Sequence, residues 1–83
     1  MKTFEDLKFV KNESGTLVAI EYFDNGYGIY VLHDGTSHYG NDVYEVAVLK
    51  DGIFCFDTPI TDLILVNQSI DQVNDVVKRV QEL

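Results

Sequence analysis

Cysteine, histidine and carboxylate are the side chains of this 83-residue chain with the means to do chemistry, and their spacing limits which chemistry is open to them. His33, Asp34 and His38 offer a His-x4-His pair with a carboxylate between. A zinc centre needs three or four converging ligands, and this stretch supplies no cysteine, so solvated loop histidines are the simpler account. Cys55 beside a histidine would make a nucleophilic pair. It sits instead in the apolar run IFCF (53–56) with no activating base in view, where a cysteine is expected to be inert. Asp57 and Asp62 are placed for acid–base work, yet among fourteen acids some pair always is. The stretch DNGYG (24–28) would cradle phosphate only if a helix followed it. A strand-like run follows, and no Lys or Ser/Thr stands where a phosphate loop needs one. Read as a calcium loop it fails as well, because Phe23 and Leu32 stand where acidic ligands belong. The expectation is a non-enzymatic chain with no cofactor and no metal.

Charge is more informative than motif. Fourteen acids against six bases give a net charge of −8. No Lys or Arg occurs between Lys11 and Lys50, nor between Lys50 and Lys78. Binding to nucleic acid is driven by cations that displace counterions from phosphates, so direct DNA or RNA binding is not expected, nor is attachment to anionic membranes. An acidic face fits a basic surface on another protein, beside the simpler role of keeping the chain in solution. No apolar run approaches a membrane span, and the N-terminal MKTFEDLKFVKNESG lacks the apolar core of a secretory signal. One cysteine cannot form an internal disulfide, so a reduced, cytoplasmic setting is expected.

The elements that must position these residues are legible from period and turn chemistry. Eighty-three residues make a single domain, 1–83. LKFV (7–10) reads as a short first strand, KNESG (11–15) as a turn, and TLVAIEYF (16–23) as a strand. Asn25-Gly26 is a two-residue hairpin signal, and YGIYVLH (27–33) is the return strand. That turn sets Tyr22 opposite Ile29 and Ile20 opposite Val31. Val18, Ile20, Tyr22, Ile29 and Val31 then form the core face, and Phe23, Tyr30 and Leu32 are exposed on the other. DGTSHYGND (34–42) reads as a polar loop and VYEVAVLK (43–50) as a strand. Asp51-Gly52 is a second hairpin turn, setting Leu49 opposite Phe54 and Ala47 opposite Phe56. In SIDQVNDVVKRVQEL (69–83), Ile70, Val73, Val76, Val77, Val80 and Leu83 recur at spacings of three and four. Ser69 is the N-cap and Gln72 completes a capping box. The expected fold is α+β: an antiparallel sheet of four or five strands in a hairpin-rich meander, packed by one C-terminal helix.

The order FDNGYGIYVL, SHYG, YEVAVLKDG and DTPITD, followed by a short helix, resembles a group of small uncharacterised phage and prophage proteins across residues 4–83. LILVNQSID after Asp62 departs from the more polar, glycine-containing approach to the helix expected of that group, and exposes Leu63, Ile64 and Leu65. The resemblance implies a context rather than an activity. In that context a small acidic protein acts by binding and inhibiting or modulating a host or defence protein with a basic surface, as anti-CRISPR proteins do. The expected contacts are Asp24, Asp34, Asp42, Glu45 and Asp51, with Tyr27 and Tyr39 as anchors. Two other readings stand beside it: a protein that sequesters a small molecule or nucleotide, and a structural homo-oligomer, for which a homodimer is the simplest form.

Overall fold

The computed structural model describes residues 1–33, 44–58 and 64–83. A 3-10 turn, Phe4–Asp6, leads into β1 (Val10–Lys11), β2 (Leu17–Tyr22), β3 (Tyr27–His33), β4 (Tyr44–Lys50), β5 (Ile53–Phe54), β6 (Leu65–Gln68) and α1 (Ile70–Gln81). The strands form one antiparallel sheet in the order β1-β2-β3-β4-β5. β6 also pairs with β4, at its Tyr44–Val46 end, with a bulge in the ladder where Asn67 takes a positive φ of 57°. Since β3 occupies the other edge of β4 along its whole length, β5 and β6 lie in tandem along one edge. The fold is thus the α+β meander expected, with β6 added from the apolar stretch before the helix. Of that stretch, Ile64 is exposed and Leu65 packs on the core; Leu63 lies outside the described residues.

The helix begins where its cap chemistry puts it. Ser69 Oγ accepts from the Gln72 amide at 3.2 Å, and Gln72 Oε1 accepts from the Ser69 amide at 2.8 Å. Val73, Val76, Val77 and Val80 face the sheet and are buried, while Ile70 at the start of the stripe remains 39% exposed. Against them lie Ala19 of β2, Ile29 and Val31 of β3, and Tyr44, Val46 and Val48 of β4. Valine is a poor helix former, so α1 owes its stability to this packing rather than to its own propensity.

The first hairpin differs from expectation in register. Asn25-Gly26 does not make a two-residue turn. The loop is Asp24-Asn25-Gly26, closed by Gly26 N–H on Phe23 O at 3.2 Å and Phe23 N–H on Tyr27 O at 2.8 Å. Gly26 has φ 86°, whereas Asn25 is not in the left-handed region. That is a type I turn followed by a left-handed glycine, the usual form of a three-residue hairpin. Tyr22 therefore faces Gly28, Glu21 faces Ile29 and Ala19 faces Val31. A one-residue slip turns every side chain of the strand over. Val18, Ile20 and Tyr22 leave the core face, and Ala19, Glu21 and Phe23 join it. The second hairpin follows its turn signal: Asp51 and Gly52 both have positive φ, 54° and 86°, and Leu49 pairs with Phe54.

Candidate functional site

The register leaves the sheet with one face under the helix and one face that no described element covers. Alternation along β2, β3 and β4 places Val18, Ile20, Tyr22, Tyr30, Leu32, Ala47 and Leu49 on that open face. Val10 joins them opposite Val18, and Phe54 opposite Leu49. Tyr30 meets Phe54 edge-on with ring centroids 5.4 Å apart, and Phe54 stacks on Phe56 at 6.2 Å. Around these rings Ala47 and Leu49 are already buried. Val10, Ile20, Tyr22, Phe54 and Phe56 remain between 44% and 69% exposed, which makes the face a candidate interaction surface. Phe23, expected here from the sequence, instead packs on the helix side. The missing signal was the reading of Asn25-Gly26. The dipeptide suits positions two and three of a three-residue loop as well as both positions of a two-residue one, and only the former exposes Ile20 and Tyr22.

Of the acidic and aromatic residues expected to meet a partner, Asp24, Tyr27 and Asp51 come together at one end of the sheet. The loop after β2 and the turn after β4 are both there, because Tyr27 pairs with Lys50. Asp24 and Asp51 are exposed. Tyr27 is half-buried and packs on the core, and Lys50 Nζ lies 5.0 Å from its ring centre. The Tyr27 phenol holds the Lys50 ammonium above its ordinary pKa. Glu45 is exposed at the opposite end of β4, on the open face opposite Leu32. Asp34, Tyr39 and Asp42 lie outside the described residues, as do His38 and Asp62.

A hollow of about 580 Å³ opens beside the acidic end, lined by Tyr27, Lys50, Asp51 and the run Ile53–Asp57. Cys55 donates from Sγ to Asp57 Oδ1 at 2.8 Å. That hydrogen bond holds the thiol above its ordinary pKa, the reverse of what activates a nucleophile. His33 is not a solvated loop residue. It ends β3, is buried, and its ring lies 4.7 Å from that of Tyr44. Among the described residues, no three His, Cys, Asp or Glu side chains converge as a metal centre requires. Nor is any described helix long and apolar enough to cross a membrane.

Asn25 has a role that spacing did not reveal. Its Oδ1 accepts from the Tyr27 amide at 3.0 Å, while its Nδ2 donates to Val80 O at 2.9 Å and Leu83 O at 3.3 Å. The hairpin tip is thereby tied to the end of α1, where Asn25 shares the Val80 carbonyl with the Leu83 amide. The other end of the chain is tied to the same helix. Asn74 Oδ1 accepts from the Phe4 amide at 2.9 Å, and Gln81 pairs through its amide with both backbone groups of Lys2. Lys2 Nζ also bridges to Glu21, which keeps that carboxylate of the helix-side face neutralised and raises the pKa of Lys2. The acidic end is therefore built on fixed backbone, not on a free loop. Comparison of the chain with protein-family models, with curated proteins and with solved structures finds no match.

Proposed function

We propose that this chain works by binding another protein, without chemistry of its own, and that its acidic sheet end docks on a basic surface of a host or defence protein and inhibits or modulates it. The observation that carries the reading is the convergence of Asp24, Tyr27 and Asp51, far apart in sequence, at one anchored end of the sheet. The net charge of −8 favours such a partner, because complementary charge speeds encounter and selects against acidic competitors. The resemblance to phage and prophage proteins is the ground for seeking the partner in a bacterial host. The test is affinity capture from bacterial lysate with the tagged chain, read by mass spectrometry at low and high salt. A basic protein retained at low salt and released at high salt is expected, and Asp24→Lys with Asp51→Lys should abolish its capture. Recovery of no such protein at low salt, or capture indifferent to the double reversal, would sink the proposal.

A further inference from the structure

A chain this acidic has a sheet face that is almost free of charge, and we infer that a second copy of the chain covers it, face to face across a two-fold axis parallel to the strands. The inference uses the open face and not the acidic end, so it stands or falls separately from the binding role proposed above.

Size is the first support. Three long strands, β2 with 6 residues and β3 and β4 with 7 each, flanked by the two-residue strands β1 and β5, make a face of roughly 400 Å² at about 4.8 Å per strand and about 3.4 Å per residue. With side-chain relief, two such faces remove on the order of 1,200–1,600 Å² from water, the range of a stable protein interface. Composition is the second. The exposed residues are Val10, Ile20, Tyr22, Phe54 and Phe56, the aromatic and aliphatic content of an interface core. Sheets of such content stack about 10 Å apart with their strands nearly aligned.

Charge selects the occupant. A basic partner would find little to pair with here, since Glu45 is the acid that the strand alternation sets on the face. The cations are at the opposite side. Leu7 and Phe9 pack on the core, so exposed Lys8 between them points with Val10 toward the open face. A two-fold axis parallel to the strands lays the β1 side of one sheet over the β5 side of the other. Lys8 of one copy then falls toward Glu45 of the other, twice per dimer. Isologous pairing of this kind requires a surface that is complementary to itself, and a face with an apolar middle, Lys8 on one side and Glu45 on the other is one.

The experiment is sedimentation equilibrium of the full chain across concentrations up to about 100 μM, where a specific dimer of this size is populated. A mass of twice 9.4 kDa is expected. Ile20→Lys should weaken dimerisation at least about tenfold, with the circular dichroism spectrum unchanged. Val10→Lys, at a more exposed position, serves if the first variant fails to fold. Lys8→Glu should weaken the dimer too, and Glu45→Lys added to it should restore part of the loss. A wild-type chain that stays monomeric throughout overturns the inference and leaves the face to another occupant. A dimer indifferent to Ile20→Lys and Val10→Lys also overturns it, because the contact then lies elsewhere.

Discussion

Gly28 shows how much a single missing side chain can decide. It does not need a positive φ; what it needs is room. A Cβ built there would lie 2.7 Å from Cδ1 of Tyr22 and 2.8 Å from the carbonyl oxygen of Glu21. Tyr22, directly across the ladder, lays its ring over the glycine and so covers backbone that would otherwise face water. Gly28→Ala must therefore move either the ring or the β2 backbone. We expect it to lower unfolding free energy by about 1–3 kcal/mol, the usual cost of overpacking. Urea denaturation followed by circular dichroism measures this. A loss below about 0.5 kcal/mol, the range of an ordinary surface substitution, would mean that the ring moves freely and is not packed there. The two glycines of DNGYG are thus kept for different reasons: Gly26 for its backbone angle, Gly28 for its lack of volume.

The loop between β2 and β3 and the helix α1 form one unit through Asn25. Replacing it with Ala removes the donor to two helix-end carbonyls and the acceptor for the Tyr27 amide. Replacing it with Asp keeps the acceptor and a good turn former, but sets a carboxylate against carbonyl oxygens. Both variants should lose about 1 kcal/mol in urea unfolding, the usual net worth of one hydrogen bond, since each loses the side-chain donor to Val80 O while the Leu83 amide keeps that carbonyl partnered. If Asn25→Asp is as stable as the parent, the tie to the helix contributes nothing and only the turn matters.

The same elements show what could be read from sequence and what could not. The helix was legible to its first residue, because Ser69 and Gln72 satisfy local backbone groups and the valine stripe is periodic. The Asp51-Gly52 hairpin was legible because both residues take positive φ there, as a two-residue turn demands. The β2–β3 register was not. Asn25-Gly26 is compatible with two loop lengths, and the choice rests on what each packs under α1. The observed register puts small Ala19 there, fully buried, with Phe23 at the margin. The other would have forced Ile20 and Tyr22 under a helix already lined with valine. β6 escaped notice because its pairing depends on a bulge at Asn67, a backbone feature with no period to announce it. The acidic end was legible residue by residue. Its convergence was not, since it follows from the pairing of Tyr27 with Lys50.

For the molecule as a whole, the charge imbalance sets a measurable cost. With fourteen acids against six bases on a small body, the net negative charge repels itself in the folded state more than in the expanded chain. Raising NaCl from about 10 mM to about 200 mM shortens the screening length from roughly 30 Å to below 10 Å, comparable with the spacing of charges on this surface. The melting temperature should rise by a few degrees over that interval. No rise, or a fall, would mean that favourable pairs such as Lys2–Glu21 outweigh the repulsion.

The ties between α1 and both Lys2 and Asn25 bear on how the protein is made. β2, β3 and β4 follow one another and can pair as soon as they leave the ribosome, but the face they form, with Ile29, Val31, Val46 and Val48, has nothing to close on until residues 70–81 have emerged. The N-terminal segment waits too, since Phe4 and Lys2 are held by Asn74 and Gln81. Until residues 70–81 emerge the sheet is paired but unsealed, and the core is sealed only once the helix arrives. A nascent chain stalled before residue 70 would be a substrate for chaperones and proteases, and one with residues 1–83 clear of the ribosome would not.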